Sequence, residues 1–209
     1  KITQELEKNI KDFIGRRYSH AVPNGTIAIY LALLASGIGK GKKVGVPNLT
    51  MIATINAIIW ADAEPVLIDV DESLCLSYEQ LKEFNDLDAL IFVPLNGRTG
   101  DGEKIEELCR ENNILLIEDS AHALGSNYKS KKCGFLGDLS IFSFTPHKII
   151  TMGQGGMILT DNDEFNNNIF NLKTFNRSKD KQDWHDGFGL NFKITDIQSS
   201  LGLSQFSKL

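Results

Sequence analysis

An α/β fold, with a mainly parallel sheet covered on both faces by helices, is what this 209-residue sequence predicts. Three features point there. Short runs rich in Val, Ile and Leu alternate with longer segments whose apolar residues recur at helical spacing. The short runs are apolar almost throughout, as strands buried on both faces are. The connections between successive runs exceed the dozen residues that a parallel crossover requires. A hydrophobic content of 42% is enough to build a real core.

Taken in order, Leu6, Ile10, Phe13 and Ile14 predict an amphipathic helix over residues 3–14. Ile27 to Ser36, rich in Ala and Leu and stopped by Gly37, predicts a buried helix with Asn24-Gly25-Thr26 at its start. Lys43 to Val46 reads as a strand ended by Pro47, and a second apolar helix follows to Trp60, beginning near Thr50. Strands are expected at residues 65–70, 89–94 and 114–117, with helices at 77–85 and 102–112 between them. Leu139 to Phe144 is a further buried strand, ended by Pro146, which fixes its own φ and pushes Thr145 out of helical space. Met157 to Thr160 pairs with it through the Gly153–Gly156 turn, 161–173 is a helix, 174–190 a polar loop, and 195–209 a last helix. No repeat or linker divides the chain.

The net charge is −5, scattered in sign, and no Lys/Arg block offers a footprint for nucleic acid or an anionic membrane. Cys75, Cys109 and Cys133 match neither a disulfide framework nor a metal site, which predicts a reducing, cytoplasmic setting. No segment approaches eighteen uninterrupted apolar residues, so no membrane association is expected.

Parallel sheets bind ligands beyond the C-terminal ends of their strands. Asn24-Gly25-Thr26, Pro47-Asn48, Asp119 with His122, and Ser143 with Lys148 all follow apolar runs and are expected along one edge. A helix start offers free N–H groups and a positive dipole end to a phosphate, and Gly25 permits close approach. A lysine set just past a buried strand places an amine where it can meet a carbonyl ligand. His20 and His185 read as surface or loop histidines, and Arg177, Asp183 and His185 as part of a solvated loop.

Seven motifs in series then carry a resemblance. They are Gly25-Thr26 opening a helix, Pro47-Asn48-Leu49-Thr50 with Ala53-Thr54 and Asn56-Ala57, Glu64-Pro65, Glu118-Asp119-Ser120-Ala121-His122, Ser143-Phe144 before Lys148, Gly153-Gln154-Gly155-Gly156, and Asn191-Phe192-Lys193-Ile194-Thr195-Asp196 with Gln198. Together they resemble the DegT/DnrJ/EryC1/StrS sugar aminotransferases across nearly the whole chain. The resemblance implies the large domain of a fold type I pyridoxal-phosphate transferase. It implies transfer of an amino group from an amino acid, glutamate, to a nucleotide-linked keto-deoxy sugar.

By the same resemblance Lys148 is the lysine that bonds the pyridoxal 5'-phosphate aldehyde, and Asp119 the carboxylate that keeps the cofactor's ring nitrogen protonated. His122 stands where a glutamine is usual, beside the ring's phenolic oxygen; either side chain donates a hydrogen bond there. Asn24, Gly25, Thr26 and Ser143 fall at the phosphate, and Asn191 matches an asparagine that reaches the phosphate of the neighbouring subunit, so a homodimer with shared sites is implied. Met51 replaces an aromatic residue that stacks on the ring; looser packing and weaker retention are expected, unless Met51 is core filler. Family chains continue past the Asn191 motif, so residues 1–209 are expected to be a cofactor-binding large domain lacking a smaller C-terminal one. The rivals are a dehydratase of the same family with histidine in place of the lysine, suggested by His147, and a non-catalytic binding module. No metal is implied, and Glu118, beside Asp119, is expected to face away from the site.

Overall fold

The computed structural model describes residues 1–178 and 180–209; Lys179, within the expected 174–190 loop, lies outside the described residues. The chain builds α1 (Ile2–Ile14), β1 (Tyr18–Val22), α2 (Gly25–Ala35), β2 (Lys43–Pro47), α3 (Ile52–Trp60), β3 (Glu64–Ile68), α4 (Tyr78–Leu81) and β4 (Ala89–Phe92). It continues with α5 (Gly102–Glu111), β5 (Leu115–Asp119), the small strands β6 (Asn127–Tyr128) and β7 (Lys131–Lys132), β8 (Leu139–Ser143), β9 (Gly156–Thr160), α6 (Asp163–Lys173) and α7 (Asp196–Phe206).

Seven strands form one sheet in the order β1-β9-β8-β5-β4-β2-β3. Only β9 runs antiparallel to its neighbours, β1 and β8, so the expected mainly parallel sheet is present. The side-chain period of two sorts each strand between two cores. Ile91, Ile117, Ile141 and Ile158 pack with α2, α3 and Ile169 of α6. Their neighbours Leu90, Phe92 and Leu116 pack with α4 and α5, and Phe142, Met157 and Leu159 with α1 and the C-terminal part of α7. That is the three-layer α/β/α arrangement.

Three differences from the sequence reading have physical causes. Tyr18–Val22, left unassigned, is the edge strand β1; two of its five residues are only half-buried and His20 interrupts the apolar run. The helix expected over 77–85 is the single turn Tyr78–Leu81, capped by the Ser77 hydroxyl on the Gln80 N–H at 3.3 Å. His20 is a buried edge-strand residue, its Nε2 2.8 Å from Asn166 Oδ1, and burial followed by the nearby Lys173 charge lowers it to about 4. His185 does lie in an exposed loop, with Nδ1 2.8 Å from the Phe175 carbonyl.

Candidate active site

β1, β2, β5 and β8 share one direction, so their C-terminal ends open on the same edge of the sheet. There a cavity of about 310 Å³ is bounded by the start of α2, the start of α3, the end of β5 and the loop after β8. Asn24, Gly25, Thr26, Met51, Asp119, His122, Ser143 and Lys148 all line it. Asn191 does not; it sits exposed, bridged to Thr174 at the end of α6.

The start of α2 leaves backbone donors facing the cavity. Asn24 caps α2, its Oδ1 accepting the Ile27 N–H at 2.9 Å and its carbonyl the Ala28 N–H at 3.1 Å. The N–H groups of Gly25 and Thr26, in the first turn, have no intrahelical acceptor and border the cavity. This turn lies close against Ser143 and Gly156, which are register partners on β8 and β9. A Cβ on Gly25 would stand 3.0 Å from Ser143 Cβ, and one on Gly156 would stand 2.5 Å from the Asn24 carbonyl oxygen.

Asp119 closes β5 with its carboxylate held on the α3 side of the sheet. Thr54 Oγ1 donates to Oδ2 at 2.9 Å and the Ala121 N–H to Oδ1 at 3.2 Å. Burial pushes the carboxyl above its usual range, and Thr54, Ala121 and the charges of His122 and Lys148 pull it back. Glu118 points to the other face, as expected. Its Oε1 accepts Ser120 Oγ at 2.6 Å, the Gly134 N–H at 2.8 Å and Tyr128 OH at 3.1 Å, while Oε2 accepts the Leu136 N–H at 2.9 Å. Burial raises Glu118, and these four hydrogen bonds pull it back. It pins the exit of β5.

Lys148 follows β8 in a turn closed by its own N–H on the Thr145 carbonyl at 3.0 Å. The rest of the loop is fixed by the Phe144 N–H on the Gly155 carbonyl at 2.8 Å and the Met152 N–H on the Phe144 carbonyl at 3.0 Å. From α7, Gln198 Nε2 donates to the Gln154 carbonyl at 3.0 Å. Partial burial lowers the Lys148 ammonium, and the Asp119 charge opposes this. His122, half-buried, is lowered by burial and then by the Lys148 charge. Among the described residues, His122 Nδ1 and Thr145 Oγ1 are buried without a hydrogen-bond partner, and both residues line the cavity. Free backbone N–H groups, a buried carboxylate, an amine and unpartnered polar side-chain atoms thus meet in one enclosure.

The whole chain, residues 1–209, matches the DegT/DnrJ/EryC1/StrS aminotransferase family. This chain belongs to that family. It is 38% identical to a GDP-perosamine synthase of Escherichia coli O157:H7 over 98% of its own length and 57% of that protein's. Its fold is similar to the aminotransferase of Psychrobacter cryohalolentis, with a TM-score of 0.94 and 30% identity over 99% of this chain and 56% of the other. It is also similar to NtdA of Bacillus subtilis, solved with bound cofactor PMP, with a TM-score of 0.90 and 25% identity over 98% and 47% of the two chains. The chain thus spans little more than half the length of the curated relative it matches.

Within this DegT-type cavity lie several residues to which the sequence reading gave no site role, although most of them stand in its motifs. Thr54 is the main one: with Asn56 it is one of two polar residues in the otherwise apolar segment Ile52–Trp60, and its hydroxyl donates to Asp119. Thr50, Ala121, Thr145, His147 and Gln154 also line the cavity. Asn48, expected at this edge, turns away and bonds the Asp69 carboxylate. Met51 is 59% exposed at the cap of α3, which rules out the core-filler alternative. Among the described residues no group of three or more His, Cys, Asp or Glu is placed to hold a metal ion. None of the described helices is long and apolar enough to cross a membrane.

Proposed function

We propose that the protein is a nucleotide-sugar aminotransferase that uses pyridoxal 5'-phosphate, takes its amino group from glutamate and works as a cytoplasmic homodimer. The observation that carries this is the convergence of Lys148, Asp119 and the open first turn of α2 on one cavity in a chain of this family. The cavity's dimensions and donor set fit the cofactor. Asn24, Gly25, Thr26 and Ser143 are assigned to its phosphate, Asp119 to its ring nitrogen, His122 to its phenolic oxygen, and Met51 to the flank of its ring.

When bound, the cofactor supplies an aldehyde and an electron-poor ring that accepts the electron pair released when a proton leaves a substrate carbon. Lys148 would provide the amine that holds the group covalently, and its Nζ, when free, would serve as the base that carries a proton between two carbon positions. Burial favours this by making the charged ammonium costlier than it is in water. Asp119 stays aligned through Thr54 and Ala121, and its carboxylate would hold a proton on the ring nitrogen set against it. Its desolvation cost is offset whenever a cation lies against it. His147 lines the same cavity but is exposed, which supports Lys148 over the histidine of the dehydratase reading. The position of Asn191, outside the cavity on the surface, is compatible with reaching a second subunit's phosphate. Three buried free thiols, Cys75, Cys109 and Cys133, support a reducing compartment.

Two measurements on the full-length protein test this. Borohydride added after pyridoxal 5'-phosphate should fix the cofactor on the peptide bearing Lys148, and Lys148→Ala should abolish fixation while leaving reversible binding. Isotopically labelled glutamate should then pass its amino group to a GDP-linked keto sugar, the first class to try because the relative above is named for a GDP-linked amino sugar. Fixation on another lysine, or fixation that survives in Lys148→Ala, would overturn the assignment.

A further inference from the structure

We infer that Lys173, paired with Glu7, is a positioning residue for the phosphate cradle Asn24–Thr26. The inference rests on the cofactor reading above. β1 is an edge strand, bonded to β9 on one side only. On its open side Ala21 presents both backbone groups, and two charged side chains take them. Glu7 Oε1 accepts the Ala21 N–H at 2.7 Å, and Lys173 Nζ donates to the Ala21 carbonyl at 3.1 Å. The charges also meet each other, with Nζ 3.3 Å from Oε1 and side chains that are only 10% and 18% exposed. The clip therefore fixes the peptide unit three residues before the α2 cap.

Covering an edge strand does not require this arrangement. Water satisfies an exposed edge, and Ser19 Oγ already ties the strand to the Glu7 carbonyl at 2.8 Å. Burying an ammonium carries a desolvation cost that an uncharged side chain would avoid. What the charged pair adds is a fixed direction for the strand's exit. From Ala21 the chain passes through Val22, paired in register with Gly156, to Asn24, whose backbone lies against Gly156. Lys173 also ends α6, where its carbonyl accepts the Phe192 N–H at 3.1 Å and the Leu172 carbonyl accepts the Leu190 N–H at 2.6 Å. One residue thus holds both the approach to the cradle and the segment that carries Asn191.

The test compares pyridoxal 5'-phosphate with pyridoxal, which lacks the phosphate, by absorbance titration of the cofactor-free, full-length protein. The wild type should prefer the phosphorylated compound. Lys173→Met should lower that preference about tenfold or more, and Lys173→Arg should return it to within about threefold of the wild type. If Lys173→Met does not fold, Glu7→Gln, which keeps an acceptor for Ala21 but removes the charge facing Lys173, should lower the preference about threefold. Equal weakening of both compounds, or an unchanged preference in whichever variant folds, would reduce the clip to a scaffold and overturn the inference. A wild type without preference would instead remove the phosphate cradle itself.

Discussion

Gly156→Ala is the sharpest steric probe of the cradle. Gly156 begins β9, and its absent side chain is what lets the Asn24–Gly25 backbone lie against the strand. An added Cβ would meet the Asn24 carbonyl oxygen at 2.5 Å, its carbon at 2.6 Å and the Gly25 nitrogen at 3.0 Å. All three are backbone atoms, so no rotamer change relieves the clash. Restoring ordinary contact requires a shift of roughly 1 Å in a turn that also packs closely on Ser143, the register partner of Gly156. Overpacking of this kind costs about 1–3 kcal/mol of stability. The larger effect falls on the ligand, because N–H donors displaced by about 1 Å lose most of their hydrogen-bond geometry, and a loss near 100-fold in phosphate-dependent affinity is expected. The assay is titration with pyridoxal 5'-phosphate together with thermal unfolding of the cofactor-free protein. Gly156→Ala binding within about twofold of wild type, with no change in Tm, would refute the claim that this glycine shapes the cradle.

Two further outcomes are expected. Thr54→Val removes the hydroxyl that donates to Asp119 at 2.9 Å while keeping the side chain's shape; a hydrogen bond to a charged group contributes about 1.5–3 kcal/mol, so affinity for pyridoxal 5'-phosphate should fall roughly tenfold or more and recover in Thr54→Ser, read by the same titration. His20 should make stability fall with acid: its folded value of about 4 lies below that of the unfolded chain, so the unfolded state takes up the extra proton as pH drops from about 6.5 towards 4. Between pH 7 and 5 that contribution amounts to about 2 kcal/mol, and urea unfolding of His20→Gln should show a pH dependence flatter by that amount.

Much of this was legible because the information was local. Asn24 as a cap, Asp119 at a strand end and Lys148 behind a proline each follow from residue type and neighbouring pattern, and the sheet's direction rule then gathers them. What was not legible depended on partners far away in sequence. β1 is half-polar because one of its edges faces side chains of α1 and α6, and no window of residues 18–22 contains Glu7 or Lys173. His20 looked like a surface residue because Asn166, which fills its hydrogen bond, lies 146 positions on. Thr54 had no role in the sequence because nothing local separates it from Asn56, the other polar residue of Ile52–Trp60, until Asp119, 65 positions on, is found beside it. The helical periodicity of 77–85 failed for the opposite reason: the pattern was there, but the chain turns after Leu81 to bury Phe84 and Leu87 against the second core.

The electrostatics of Lys148 and Asp119 explain why the two belong in one enclosure. Burial acts on them in opposite senses, lowering the amine and raising the acid, so each becomes more nearly neutral than it would be in water. Each charge also restores the other, since Asp119 raises Lys148 and Lys148 lowers Asp119. A charged group entering such a site shifts this balance further. A cation against the carboxylate commits Asp119 to its anionic form, with Thr54 and Ala121 already aligned to hold it. A dianion at the first turn of α2 brings charge that Gly25 and Thr26 meet with backbone donors, leaving the Lys148 amine free of permanent pairing. An amine locked in a tight salt bridge would be a poor nucleophile and a poor proton carrier, whereas one that is desolvated and only loosely compensated serves as both.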